Sequence, residues 1–175
     1  FISGTITADS NFDPMGPEWM YTMVISWDTG NNYGLSHANL LLDVYTGSCL
    51  CQDFMAALSW DDPVGSSTGY PEDCTVYYQG FLECEGDPSI PGVSDILLKF
   101  EPIEGDCEPG PMGTATFVFY SDLPPVPINE DILTAVDKHA NESCFGYLAG
   151  DFPAMECDPV GNDASSWGNL KGLFR

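Results

Sequence analysis

Basic residues are the scarcest class in this chain. Four Lys and Arg stand against 27 Asp and Glu, a formal charge of −23 over 175 residues. Nucleic acid is thereby excluded as a partner, because phosphate binding needs Lys and Arg. An anionic membrane surface is disfavoured for the same reason. Histidine is nearly absent too, with only His37 and His139. No Cys-x-x-Cys pair occurs, so the usual zinc site lacks its residues. Ser36 and His37 adjoin in sequence, which does not by itself set a hydroxyl on an imidazole. No apolar run approaches the roughly 18 residues that cross a bilayer as a helix, so no membrane insertion is expected. With no catalytic signature, the expectation is a protein that is not an enzyme.

What is present points to an ordered extracellular domain. At 43% hydrophobic and 13% aromatic residues, the chain can bury a real core, and its length suits one domain over 1–175. The acids are dispersed along it. Seven cysteines, at 49, 51, 74, 84, 107, 144 and 157, indicate an oxidising compartment. The chain begins at Phe1, as a mature chain would after leader removal. The expected location is therefore secreted, extracellular or on the cell surface.

The segment Trp19–Trp27 gives the clearest local signal. Trp19, Tyr21, Met23, Ile25 and Trp27 share one face at period two, and Met20, Thr22, Val24 and Ser26 share the other. This is a strand whose aromatic face must be covered. Residues 1–8 alternate similarly and read as an edge strand, or one exchanged with a neighbour. Further strands are expected at 37–45, 49–60, 75–83 (with a bulge at Gly80), 95–101, 114–120 and 144–152. Residues 129–140 read as a helix, capped by Asn129 with two acids in its first turn; His139 then falls near its C-terminus. Short strands between turn signals predict an antiparallel β-sandwich, immunoglobulin-like or jelly-roll in style, with one short helix and a C-terminal tail, helical or extended.

Sequence proximity favours the disulfides Cys144–Cys157 and Cys84–Cys107, then Cys74 with Cys49 or Cys51. The odd cysteine is either an intermolecular bridge or a buried thiol. No cofactor is required, and calcium is the cation that the oxygen-rich loops suit, with Asp28, Asn31, Asp158 and Asp163 as candidate ligands. Asn141 heads a glycosylation sequon. Tyr77, Tyr78, Phe81, Trp60 and Tyr70 cluster in sequence and would serve either a sugar-binding face or the core.

The tail 165–175 differs from the body. Trp167, Leu170 and Phe174 recur at helical spacing, and Lys171 and Arg175 are half of the basic residues. The ending Trp167-Gly-Asn-Leu-Lys-Gly-Leu-Phe-Arg175 resembles the extreme C-termini of uncharacterised secreted proteins of environmental bacteria. That resemblance implies a secreted bacterial protein and no particular activity. A basic, apolar end on an acidic body is suited to docking, and an alternating strand at 1–8 is suited to strand addition. Together they predict a structural subunit of an extracellular filament or surface assembly. It would be a homo-polymer meeting through Phe1, Ile2, Ile6, Trp167, Leu170, Lys171, Phe174 and Arg175. The alternative is a secreted carbohydrate-binding or calcium-dependent adhesion module.

Overall fold

The computed structural model describes residues 1–43, 49–60, 64–70, 74–93, 96–139 and 142–155. Among them are ten strands and one helix: β1 (Ile2–Ser10), β2 (Trp19–Asp28), β3 (Leu35–Leu41), α1 (Cys51–Ala57), β4 (Leu58–Ser59), β5 (Gly65–Gly69), β6 (Cys74–Glu83), β7 (Leu97–Pro102), β8 (Met112–Ser121), β9 (Pro125–Asp137) and β10 (Ser143–Pro153).

The expected sandwich is not what forms. Nine strands pair in the order β2-β1-β10-β9-β3-β7-β6-β5-β8, and β8 pairs back onto β2 from Trp19↔Ser121 to Asp28↔Met112, closing a barrel. The two-residue β4 adds to the end of β8, beyond the stretch that β5 occupies. A sandwich and a barrel demand the same in-out alternation from each strand. They differ in whether the outermost strands meet, and here they do.

Closure also moves the expected edge. β1 is paired along both sides, antiparallel to β2 and parallel to β10. Gly146 and Gly150 of β10 permit the parallel pairing. A Cβ on Gly146 would overlap the Ile2 carbonyl, and one on Gly150 would overlap that of Ile6. Gly150 also has φ +128°, a conformation that L side chains avoid.

The barrel is filled. The inner face of β2 (Tyr21, Met23, Ile25 and Trp27) is buried as its alternation requires, against Phe117 and Phe119 of β8. Tyr21 stacks on Phe119, and Phe117 meets both Tyr78 and Phe100. The polar tips of these rings are satisfied. Tyr21 donates to the Leu123 carbonyl at 2.7 Å, Trp27 to the Gly110 carbonyl at 3.1 Å, and the Tyr78 hydroxyl lies 2.9 Å from Ser67 Oγ. Burial pushes the Tyr78 phenol up to about 12, against the opposing pull of Ser67, so it stays a neutral partner.

Three further expectations are corrected. Residues 129–137, read as the start of a helix, belong to strand β9. Ile132, Leu133, Thr134, Ala135 and Val136 are all buried, because the barrel covers one face and the segment 87–93 the other, where Ile90 and Val93 pack on Val136 and Leu97. A strand buried on both faces shows no alternation. Conversely, 51–57 is a helix inside the stretch read as irregular strand. Its Asp53 carboxylate accepts the Leu50 N–H at 3.2 Å and its Phe54 enters the core. Gly80 pairs with Phe100 in unbroken register, without a bulge.

Candidate functional site

The cysteines pair by register rather than by nearness in sequence. Cys51 bonds Cys84, and Cys74 bonds Cys107, in place of the expected Cys84–Cys107 and of Cys74 with Cys49 or Cys51. Cys49 is itself disulfide-bonded. Cys144 carries a free thiol, against the expected bridge to Cys157, which lies outside the described residues. These bonds suit an oxidising compartment. Among the described residues, no helix is long and apolar enough to cross a membrane.

The residues expected to join subunits are placed unevenly. Ile2 and Ile6 point into the barrel and are buried. Phe1 is exposed, but its ammonium donates to the Asp28 carbonyl at 2.6 Å. Trp167, Leu170, Lys171, Phe174 and Arg175 lie outside the described residues, as do Asn141, Asp158 and Asp163. Of the calcium candidates that remain, Asp28 Oδ1 accepts the Gly30 N–H, and Asn31 Oδ1 accepts from Thr29 and from the Tyr33 N–H. The Asn31 amide donates to Asp137 at 2.7 Å and to Glu142 at 3.3 Å. Asn31 thus offers these acids a donor, not a cation an oxygen. Among the described residues, no three His, Cys, Asp or Glu side chains converge as metal ligands. A cavity of about 110 Å³ at this end of the barrel is lined by Trp27, Asp28, Asp137, Glu142 and the Cys144 thiol.

Sequence reasoning missed a buried polar cluster outside the barrel wall. The β3–β9 register slips between Leu35 and His37, and Ser36 Oγ lies 3.2 Å from His37 Nδ1. His37 Nε2 lies 2.5 Å from Asp87 Oδ2, on the segment that covers β9. Asn39 donates to Asp87 and to Thr134, while its Oδ1 finds no partner. Lys99 stands 3.8 Å from Asp87 and 2.7 Å from Glu101. His37 Nδ1 faces Ser36, its Nε2 faces the Asp87 carboxylate as an ion-pair neighbour without a hydrogen bond, and the ring is covered, so the cluster works as a clasp on residues 87–93. Burial, then Lys99, holds His37 below its ordinary value, against the pull of Asp87. Burial works to raise the Asp87 carboxyl, but the Ser89 N–H, His37, Asn39 and Lys99 outweigh it and hold it below the usual range.

Both shifts have one sign. Each group binds a proton more readily in the unfolded chain, so each costs stability on acidification. His37 acts as pH falls below its unfolded value near 6.5, and Asp87 as it falls below 3.8. Urea denaturation of wild type and His37→Gln at pH 7.5 and 5.5 tests this. The wild type should lose more stability than the variant over that interval. Equal losses would show that His37 does not titrate against the fold. His139, expected at a helix end, packs instead against Tyr33, with ring centroids 3.8 Å apart and the rings tilted at 49°.

The aromatic cluster is split by strand alternation. Tyr78 is fully buried, whereas Tyr77 and Phe81 face out from β6 and Tyr70 is exposed. Outward of β6 lies a wall with an unusual composition for so acidic a chain. One register row runs Tyr77, Ser66, Thr116, Val24, Thr5 across β6, β5, β8, β2 and β1, continuing through Ala149 to Asn129. Its neighbours are Thr114, Ser26, Ser3 and Tyr147 on one side, and Val118, Thr22 and Thr7 on the other. None of these positions is charged. Across β6, β5, β8, β2 and β1 carboxylates return only at strand ends, at Asp9, Asp28 and Glu83, whereas on β10 and β9 Asp151, Glu130 and Asp131 stand close to Ala149 and Asn129. The Lys99–Glu101 pair borders the wall on β7. At strand spacing of about 4.8 Å the five central strands span about 20 Å.

Three open hollows of about 420 Å³ each border β6; the one between Tyr77 and Cys107 is lined by Glu104 and Asp106, and the two that meet this wall are uncharged. Tyr77 and Tyr120 line one, over Val64, Ser66 and Thr116. Trp60 and Phe81 line the other, with Met55 of α1 and Gln79. Neither has a charged lining residue. Comparison with known proteins returns no matching family model, no matching curated protein and no matching solved structure.

Proposed function

We propose that this chain is a secreted, non-catalytic module that binds neutral carbohydrate through the outer wall of its barrel. The observation that carries this reading is the uncharged row from Tyr77 to Thr5 on a chain of net charge −23. Serine and threonine hydroxyls both donate and accept, as sugar hydroxyls do, and exposed tyrosines offer apolar faces with a polar edge. A neutral glycan meets no repulsion at this surface, while the acidic body repels anionic polymers. Disulfides and the tail's resemblance to secreted bacterial proteins support an extracellular setting. Subunit assembly by exchange of residues 1–8 has less support, since β1 is paired on both sides within its own barrel.

Depletion from solution by insoluble cellulose, xylan and mannan, with polygalacturonate as the anionic control, tests the reading. Retention on at least one neutral polymer, unchanged in about 1 M salt, is expected, because the contact is not ionic. No retention on any of them, or retention only on charged matrices and lost in salt, would overturn it.

A further inference from the structure

We infer that the ligand is an internal stretch of a linear neutral polysaccharide, held at two aromatic subsites. One subsite is the Tyr77–Tyr120 hollow and the other the Trp60–Phe81 hollow. This inference rests on the carbohydrate reading above and names its substrate class.

Tyr77 and Phe81 occupy the same face of β6, four residues apart, which sets their Cα atoms about 13 Å from each other. One sugar ring cannot touch both, but a short run of linked sugars can. Both hollows border β6, the first at Tyr77 and the second from Gln79 to Leu82. A Cβ on Gly80 would lie 3.3 Å from Val64, which lines the first, and 3.6 Å from Trp60, which lines the second. The missing side chain at Gly80 thus lets both residues settle beside β6. Both hollows are open depressions, so a chain can run through them without presenting an end. Their uncharged linings suit a neutral polymer and disfavour a second copy of this chain, whose carboxylates would meet those at Glu83 and Glu101.

The test uses the whole chain with cello-, xylo- and manno-oligosaccharides of two to six sugars, measured by calorimetry. Affinity should rise by at least roughly tenfold between two and five sugars of the preferred series. Tyr77→Ala and Phe81→Ala should each lower affinity for the longest oligomer by roughly tenfold, as truncation of an aromatic anchor does. Tyr77→Trp should retain binding, and Tyr70→Ala, exposed but off this strip, should leave it unchanged. Thermal melts of the variants check that the fold survives, as the exposure of Tyr77 (52%) and Phe81 (36%) implies.

Affinity flat with length would overturn the two-subsite inference. So would polysaccharide retention that survives both alanine variants, although the carbohydrate reading would then stand. Retention by no polymer would overturn both. Concentration-dependent growth in mass by light scattering, abolished by Tyr77→Ala, would instead assign the strip to self-association.

Discussion

Gly146→Ala should lower stability by about 3 kcal/mol, near the upper end of what overpacking a well-filled interior costs. The reason lies in the parallel seam between β1 and β10. A methyl group at 146 would occupy the space of the Ile2 carbonyl, a backbone atom that cannot swing aside as a flexible side chain can. Relief requires parting the seam, which exposes the hydrogen-bonding groups of two strands. Gly150→Ala should behave similarly, with the added cost of its positive φ. Gly30→Ala is the control, since Gly30 also has positive φ (72°) but nothing lies within 4 Å of its Cβ position. It should lose about 1 kcal/mol or less, the conformational cost alone. Urea denaturation of the three variants separates the effects. Equal losses at 146 and 30 would mean that the seam is not closely packed.

Removing either described disulfide should cost about 4 kcal/mol, since chain-entropy arguments give that value for a crosslink between residues some thirty positions apart. Both bridges have a sequence separation of 33, yet they should differ in what else they affect. Cys74–Cys107 secures the start of β6 near the Tyr70–Glu108 bridge, away from the Trp60–Phe81 hollow, although Cys107 and Tyr77 line a hollow together. Cys51–Cys84 ties the first residue of α1 to the residue after β6, and so holds Met55 against the Phe81 hollow. Replacing Cys51 and Cys84 by Ser should therefore lower both the melting temperature and oligosaccharide affinity. Replacing Cys74 and Cys107 should lower the melting temperature with a smaller loss of affinity. The same effect on binding from both pairs would dissociate α1 from the site.

The sequence made β2 legible because one of its faces looks into the core and the other at solvent. β9 was not legible, because segment 87–93 covers its outer face and so erases the alternation that would have marked it as a strand. Asn129 and the acids after it then resembled a helix start. Closure could not be seen either. It depends on β2 meeting β8 about ninety residues later, and each strand carries the same pattern in a sandwich. The aromatic wall was half visible. Tyr77 and Tyr78 stood together as candidates, and period two along β6, with Val76, Tyr78 and Gly80 inside, would have sent Tyr77 outward and Tyr78 inward. The neutral row was hidden, because Ser66, Thr116, Val24 and Thr5 become neighbours only through three strand registers. The His37–Asp87 contact joins residues fifty positions apart, and among 27 acids no local signal marks Asp87.

The seam between β1 and β10 also constrains how the barrel can be made. Its two strands stand at opposite ends of the described chain, so their contacts have nearly the largest loop-closure cost that this chain can present. Strand pairing of such high contact order folds slowly. Until Ser143–Pro153 is available, β1 has β2 on one side and a bare edge on the other. Folding therefore finishes only after nearly the whole described chain is available.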